Sequence, residues 1–379
     1  MEFLFRVAFA SFLSSWMFYP AILFLLSAVR RKYDGNWRNP ETWPSVSVLV
    51  AARNERDVIG PRIENLLAQN YDGNIQVIVG SDCSDDGTDR VVLSYADRGV
   101  MLHRSERRLG KPRMMGELIG YATGEILVFT DADTVFADDT VKELVKPFSF
   151  PRVGCVDGNR RNSLDDETCE SIYWKYEKKI KSLCSGMGAV LGATGAVFSI
   201  RKELYSPLAP GRGDDFELAV MVRLRGFDCV FNPDAVAMEP SPDDARQYRR
   251  MVRIVSWMMI SCLMLMGKAA AKGKFFLFIQ LLFHKMFRWL SGFFLLAATA
   301  AAGFLASSSP AFLVIFILLS LFHATAAAGA LLRERLPSKL LFPYYFWLMN
   351  AAAMDGILRT LAGRPVETWE KRKKQPDES

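Results

Sequence analysis

Two carboxylates one residue apart, Asp131 and Asp133, close an apolar run from Ile126 to Phe129. A short run of this kind reads as a buried strand. The pair then stands at the C-terminal edge of a strand, where open α/β sheets bind ligands. Hard oxygen ligands in that place suit a divalent cation that also holds a diphosphate, since Mg²⁺ is usually bound through one or two carboxylates plus substrate phosphates. On its own Asp-x-Asp is a weak signal, because most such pairs are solvated loop or cap residues. A second acidic pair, Asp214-Asp215, precedes the helical stretch Phe216–Arg225.

These groups need a scaffold, and the preceding sequence supplies one. Val46–Ala52 reads as a buried strand that runs into Arg53-Asn54-Glu55 and an amphipathic helix to about residue 70. A second strand, Ile75–Val79, ends in the polar stretch Gly80–Thr88, and a third near Val100–His103 leads to Arg108-Leu109-Gly110-Lys111 and another helix. Strand, polar turn and helix recur at βαβ spacing, which predicts a Rossmann-like α/β domain with a mostly parallel sheet and helices on both faces. Four strands then end in polar clusters at one edge, the place for a nucleotide. Further on, Tyr173-Trp174 opens a helix, Gly192-Ala193-Thr194-Gly195 is a small-residue turn feeding a strand Ala196–Ile200, and a strand Asp228–Phe231 is closed by Asn-Pro-Asp.

Apolar content is uneven along the 379 residues: 44–245 has the composition of a soluble domain, whereas 3–29 and the stretch from 274 onward are far more apolar. This predicts a membrane protein with a catalytic-sized insert. The expected division is an N-terminal transmembrane helix (1–32), a cytosolic domain (44–245), a basic amphipathic helix on the membrane surface (246–273), transmembrane or interfacial helices (274–362) and a basic tail (363–379). Spans are expected at 286–307 and 310–332; 340–361 carries Asn350, Asp355 and basic flanks, and its crossing is left open. Basic residues after the first apolar segment argue for a retained span rather than a signal peptide. Basic clusters beside apolar segments mark the cytoplasmic side of an inner or plasma membrane. They account for the net charge of +6 better than nucleic acid does, since no basic stripe with interleaved aromatics occurs. Six cysteines without paired spacing and three histidines predict neither a zinc site nor a disulfide framework.

The order of these motifs resembles the membrane-embedded members of glycosyltransferase family two, the group with cellulose, chitin and hyaluronan synthases, over about residues 44–375. The resemblance implies a GT-A fold in which Arg53, Glu55 and Asp82 contact the nucleotide, Lys111 and Asp131 the donor, and Asp131 with Asp133 a Mg²⁺ or Mn²⁺ ion. Ser81-Asp82-Cys83-Ser84-Asp85-Asp86-Gly87-Thr88 stands where the family has Asp-Gly-Ser-Thr-Asp-Gly-Thr, with Cys83 in place of Gly and Asp85 in place of Thr. Asp215 matches the family's base, which takes the acceptor hydroxyl's proton as it attacks the anomeric carbon; helix capping is the structural alternative. Gly192, Ala193, Thr194 and Gly195 match the acceptor-side turn, with Trp174 and Gln247 assigned to the acceptor as well. Gln247-Tyr248-Arg249-Arg250-Met251 resembles the Gln-x-x-Arg-Trp signature, with Arg250 toward the diphosphate and Met251 in the Trp position. Val366–Lys371 resembles a gating segment.

The resulting expectation is an inverting hexosyltransferase that moves a sugar from a UDP-sugar to a growing polysaccharide, with an export partner, or else to a lipid acceptor such as a ceramide, diacylglycerol or polyprenyl phosphate. Nucleotidyl transfer would also use paired aspartates and a metal, but would leave Asp215 and the basic helix without a task. A non-catalytic scaffold would have lost the acids that are all present here.

Overall fold

The structure is a computed structural model that describes residues 1–162, 169–208, 214–239, 244–333 and 335–364. The chain forms two units. One comprises Tyr33–Ser163, Gly188–Pro240 and Glu367–Ser379; the other comprises Met1–Lys32, Leu164–Met187 and Ser241–Val366.

The first unit is an α/β sheet domain. Its strands are β1 (Val46–Ala52), β2 (Ile75–Asp82), β3 (Met101–Ser105), β4 (Ile126–Asp131), β5 (Val135–Phe136), β6 (Val153–Asn162), β7 (Val197–Arg201) and β8 (Asp228–Glu239). They form one sheet in the order β3-β2-β1-β4-β7-β6-β8-β5. All of β1 is buried, as expected of a central parallel strand covered on both faces. Its one polar residue, Ser47, donates to Gln76 Oε1 at 2.6 Å and accepts from the Gly124 N–H at 2.8 Å, so burial leaves no group unsatisfied. The helix Arg56–Leu67 buries Ile59, Ile63 and Leu66 in the core that also holds Val48, Val50, Val77 and Val128.

The expected strands and polar turns are present, but the sheet is more mixed than a mostly parallel one. β1, β2, β3 and β4 run parallel, and so do β6 and β8. β7 is antiparallel to both β4 and β6, and β5 is antiparallel to β8. An apolar run records burial, while its direction depends on a partner distant in sequence. Phe129 of β4 and Phe198 of β7 stack across that antiparallel pair with ring centroids 4.5 Å apart. β8 also does not stop at Phe231. It continues through Asn232-Pro233-Asp234 with a register shift against β6 between Asp157 and Asn159. Asn232 absorbs the irregularity by donating to the Glu143 carbonyl at 2.8 Å and accepting from Asp234 N–H at 3.1 Å.

The second unit is helical. Glu2–Val29, Asp244–Ala271 and Pro310–Leu332 are long and apolar enough to cross a membrane, and Phe275–Trp289 with Ser291–Leu305 forms a pair bent by 63°. The span expected at 286–307 thus falls on the end of the first arm and the whole of the second. Asp244–Ala271, expected to lie on the membrane surface, meets the length and composition of a span because no charge occurs between Arg253 and Lys268. Phe342–Leu361 is a helix that is not among the candidate spans. The helix Cys169–Gly186, within the range expected for the soluble domain, belongs to this helical unit. Its buried Glu177 pairs with Arg288 and lies 3.4 Å from His284 Nε2.

Candidate functional site

The parallel register brings four strand ends to one edge: Ala51 of β1 is level with Gly80 of β2 and Asp131 of β4, and Asp82 of β2 is level with Ser105 of β3. The two polar turns that follow β1 and β2 are joined side by side. Asn54 exchanges hydrogen bonds with Asp85, its Nδ2 donating to Asp85 Oδ1 at 2.8 Å and its Oδ1 accepting from Asp85 N–H at 3.0 Å. The N–H of Glu55 donates to Thr88 Oγ1 at 2.9 Å and that of Arg56 to Asp86 Oδ2 at 3.2 Å. Asn54 is thus not the cap of the following helix. The N-cap is Glu55, and the neighbouring turn satisfies the first helical amides.

Burial would raise the Asp86 carboxyl, but hydrogen bonds from the Thr88 hydroxyl and N–H and from Arg56 N–H outweigh it and hold the group below its usual range. Asn54 and Cys83 are both left-handed, each with φ 56°. Cys83 occupies the place where the motif normally has glycine, and the backbone keeps the conformation glycine would adopt. Arg53 lies partly buried just beyond β1.

Asp82 is 1% exposed, and its two carboxylate oxygens accept from the N–H groups of Leu109 at 2.6 Å and Gly110 at 3.0 Å. It thereby fixes the loop that presents Lys111. The Lys111 ammonium donates to Asp131 Oδ1 at 2.5 Å and to the Gly195 carbonyl at 3.0 Å. Gly195 N–H in turn donates to Asp215 Oδ2 at 3.0 Å, while Asp215 Oδ1 accepts from Phe216 N–H at 2.8 Å. Ala193 N–H reaches the Asp215 carbonyl at 3.3 Å, and Thr194 N–H donates to the buried Asp157 at 2.7 Å. The antiparallel pairing of β7 with β4, with Val197 opposite Thr130, places the Gly192–Gly195 turn beside Asp131. Lys111, Asp131, the Gly192–Gly195 turn and Asp215 are therefore one connected constellation. Asp215 sits in the first turn of the helix Asp214–Leu224 and its carboxylate faces Gly195, so capping does not use up both of its oxygens.

Sequence reading missed Arg62. It is 2% exposed on the helix Arg56–Leu67, donating to Thr130 Oγ1 at 2.7 Å and to Asn65 Oδ1, with its guanidinium carbon 4.2 Å from the Phe136 ring centroid. Burial pulls it down to about 9, and Asp131 and Asp133 oppose the fall. The available signal was a charge at a core-facing position, three residues after Ile59 and one before Ile63.

Among the described residues no group of three or more His, Cys, Asp or Glu side chains could hold a metal by itself. Asp131 and Asp133 nevertheless suit Mg²⁺ or Mn²⁺ whose remaining ligands are phosphate oxygens, the usual manner of binding for such ions with a nucleotide.

The remaining expected site residues belong to the helical unit. Gln247 is buried on Asp244–Ala271 with its Nε2 3.5 Å from Tyr345 Oη, and Arg250 is partly buried on the same helix. Trp174 lies on Cys169–Gly186, and its side chain falls outside the described residues. Val366–Lys371 also falls outside them.

Known glycosyltransferases resemble this chain. A N-acetylglucosaminyltransferase from Azorhizobium caulinodans is 28% identical over 228 residues, covering 55% of this chain and 57% of the relative. One from Rhizobium sp. strain N33 is 23% identical over 55% of this chain and 51% of the relative. The chain spans about half the length of these curated relatives. A β-monoglucosyldiacylglycerol synthase from Trichormus variabilis is 34% identical over a shorter 118 residues, 30% of this chain and 25% of the relative. Among solved structures, a mannosyltransferase from Pyrobaculum calidifontis, determined with GDP-Man and Mn²⁺, shares the fold with a TM-score of 0.70 and 24% identity, covering 95% of this chain and 99% of that one. The family model described as "Glycosyltransferase like family 2" matches residues 44–255. The chain belongs to this family and is a glycosyltransferase.

Proposed function

We propose that the protein is an inverting glycosyltransferase that moves a sugar from a UDP-sugar to a growing polysaccharide at the membrane, with its α/β unit on the cytoplasmic side of an inner or plasma membrane. The observation that carries this reading is the chain of contacts from Asp131 through Lys111 and Gly195 to Asp215. It sets a diphosphate-directed end and a base one glycine apart. Asp215, fixed by two backbone N–H groups, takes the proton of the acceptor hydroxyl. The turn Gly192, Ala193, Thr194 and Gly195 lets its main chain come close to the acceptor sugar, since small residues leave room. Lys111 turns from Asp131 to the donor's phosphates. Glu55, Arg53 and Asp82 shape the nucleotide end; the motif resemblance assigns Arg250 to the diphosphate and Gln247 and Trp174 to the acceptor. A divalent ion held by Asp131 and Asp133 supplies charge neutralisation for the departing nucleoside diphosphate. Attack from the side opposite the leaving group inverts the anomeric centre.

A lipid acceptor is the second reading, and Met251 favours it. In the Trp position of the processive signature a methionine offers no flat platform for a sugar ring. Product mass separates the two, as a ladder for a polymer and a single increment for a glycolipid. The test of the reaction itself is nucleoside diphosphate release by the full chain in native-like membranes with Mn²⁺ and lipid extract. UDP-N-acetylglucosamine comes first, because of the relatives' names, followed by other UDP-sugars and GDP-mannose. Release from one donor, lowered about 100-fold or more in Asp215→Asn, is the expected result. Release that Asp215→Asn leaves unchanged would overturn the assignment of the base.

A further inference from the structure

Arg62 grips the segment that carries the acidic pair from both sides. Its guanidinium donates to Thr130, the residue before Asp131, and lies over the ring of Phe136, the third residue after Asp133. The same helix holds Phe136 by its main chain: Asn65 Oδ1 accepts from Phe136 N–H at 2.8 Å, and Asn65 Nδ2 donates to the Phe136 carbonyl at 2.8 Å. A hydrogen-bonding role for position 62 alone would not require a charge. A guanidinium at 2% exposure is costly unless carboxylates compensate it, and the acidic groups that act on it are Asp131 and Asp133. Lys111 adds a second cation, 2.5 Å from Asp131.

Among the described residues two cations thus face the acidic pair, Arg62 behind it and Lys111 beside it. These cations weaken the pull that a bare divalent ion meets at this edge. Among the described residues it also finds no third acidic, histidine or cysteine ligand grouped with the pair. A nucleoside diphosphate changes both conditions, because it brings negative charge and phosphate oxygens, and offers Lys111 a partner in exchange for Asp131.

We propose, resting on the nucleotide-sugar reading above, that Arg62 is a positioning residue that balances the charge of Asp131 and Asp133, so that this chain takes up its divalent cation together with a nucleoside diphosphate and not ahead of it. The role belongs to the charge of Arg62, not only to its packing.

The test is direct binding of Mn²⁺ to the full-length protein in lipid nanodiscs, read by electron paramagnetic resonance of free Mn²⁺, without nucleotide and with UDP or GDP. The wild type should bind Mn²⁺ alone weakly, and at least about tenfold more tightly with one of the nucleotides. Arg62→Gln should bind Mn²⁺ alone about tenfold more tightly than the wild type, whereas Arg62→Lys should stay near the wild type. Lys111→Gln, which withdraws the other cation without touching the core, should move the affinity in the same direction as Arg62→Gln and serves where that variant fails to fold. Nucleotide-free affinity unchanged or weakened in the folded neutral variant overturns the inference while leaving the reaction intact. Absence of Mn²⁺ binding even with UDP and GDP would overturn the metal-dependent reading and this inference with it.

Discussion

The main-chain N–H of Gly195 points at Asp215 Oδ2 from 3.0 Å, and the carbonyl of the same residue accepts from Lys111. One peptide unit on each side of a single glycine thus holds both the Asp215 carboxylate and the Lys111 ammonium.

That closeness leaves little room for a side chain, which would push Asp215 aside by a few tenths of an ångström. A Cβ added at Gly195 would lie 3.2 Å from Asp215 Oδ2 and 3.4 Å from Lys111 Nζ. Gly195→Ala should lower kcat at least about tenfold, roughly 1.4 kcal/mol in transition-state stabilisation, with little change in thermal stability. Steady-state release of the nucleoside diphosphate, alongside a melting curve, checks this; unchanged kcat would show that Asp215 tolerates displacement.

The joined turns after β1 and β2 should show their electrostatics in a pH series. The folded-state carboxyl of Asp86 is held below its usual range. Its contribution to stability is therefore present above the unfolded-state value, about 3.9, and is lost as pH falls through the lower folded value. Asp86→Asn should cost about 1 kcal/mol near pH 7. The difference from the wild type should shrink as the medium is acidified below about pH 4, which denaturant unfolding at several pH values would measure.

Cys83 keeps a left-handed backbone, φ 56°, without being glycine. Cys83→Gly removes a strain of about 1–2 kcal/mol and gives back part of it as added freedom of the unfolded chain. A net gain of about 0.5 kcal/mol with activity retained is expected, visible as a small rise in the melting temperature. A fall in stability would mean that the thiol's packing outweighs the backbone.

In the helical unit, Glu177 is the buried carboxylate that compensates Arg288. Glu177→Gln takes this carboxylate's charge away from the buried guanidinium, and the loss should be about 3–5 kcal/mol. Thermal unfolding in detergent or nanodiscs would report it. A double variant with Arg288→Met should recover a large part, because replacing both partners of a buried pair by neutral groups is far less costly than replacing one.

By itself the sequence determined the local pieces. The continuous apolar runs gave β1, β2 and β4 their burial, and the polar stretches Arg53–Glu55 and Gly80–Thr88 marked where β1 and β2 end. The strand pattern put Asp131 and Asp133 at a strand end, and the resemblance of the ordered motifs pointed to Asp215. The tertiary structure decided what those residues do to each other. Only the antiparallel pairing of β7 with β4 brings Gly195, 64 positions after Asp131 by their numbers, into one hydrogen-bonded line with Lys111 and Asp215. Strand direction and long-range pairing depend on partners that no local pattern encodes. For the same reason the sequence did not show that Asp82 is the carboxylate that holds Leu109 and Gly110. Arg62 was legible only as an oddity on an apolar helix face; its meaning comes from the acidic pair that the fold sets above it.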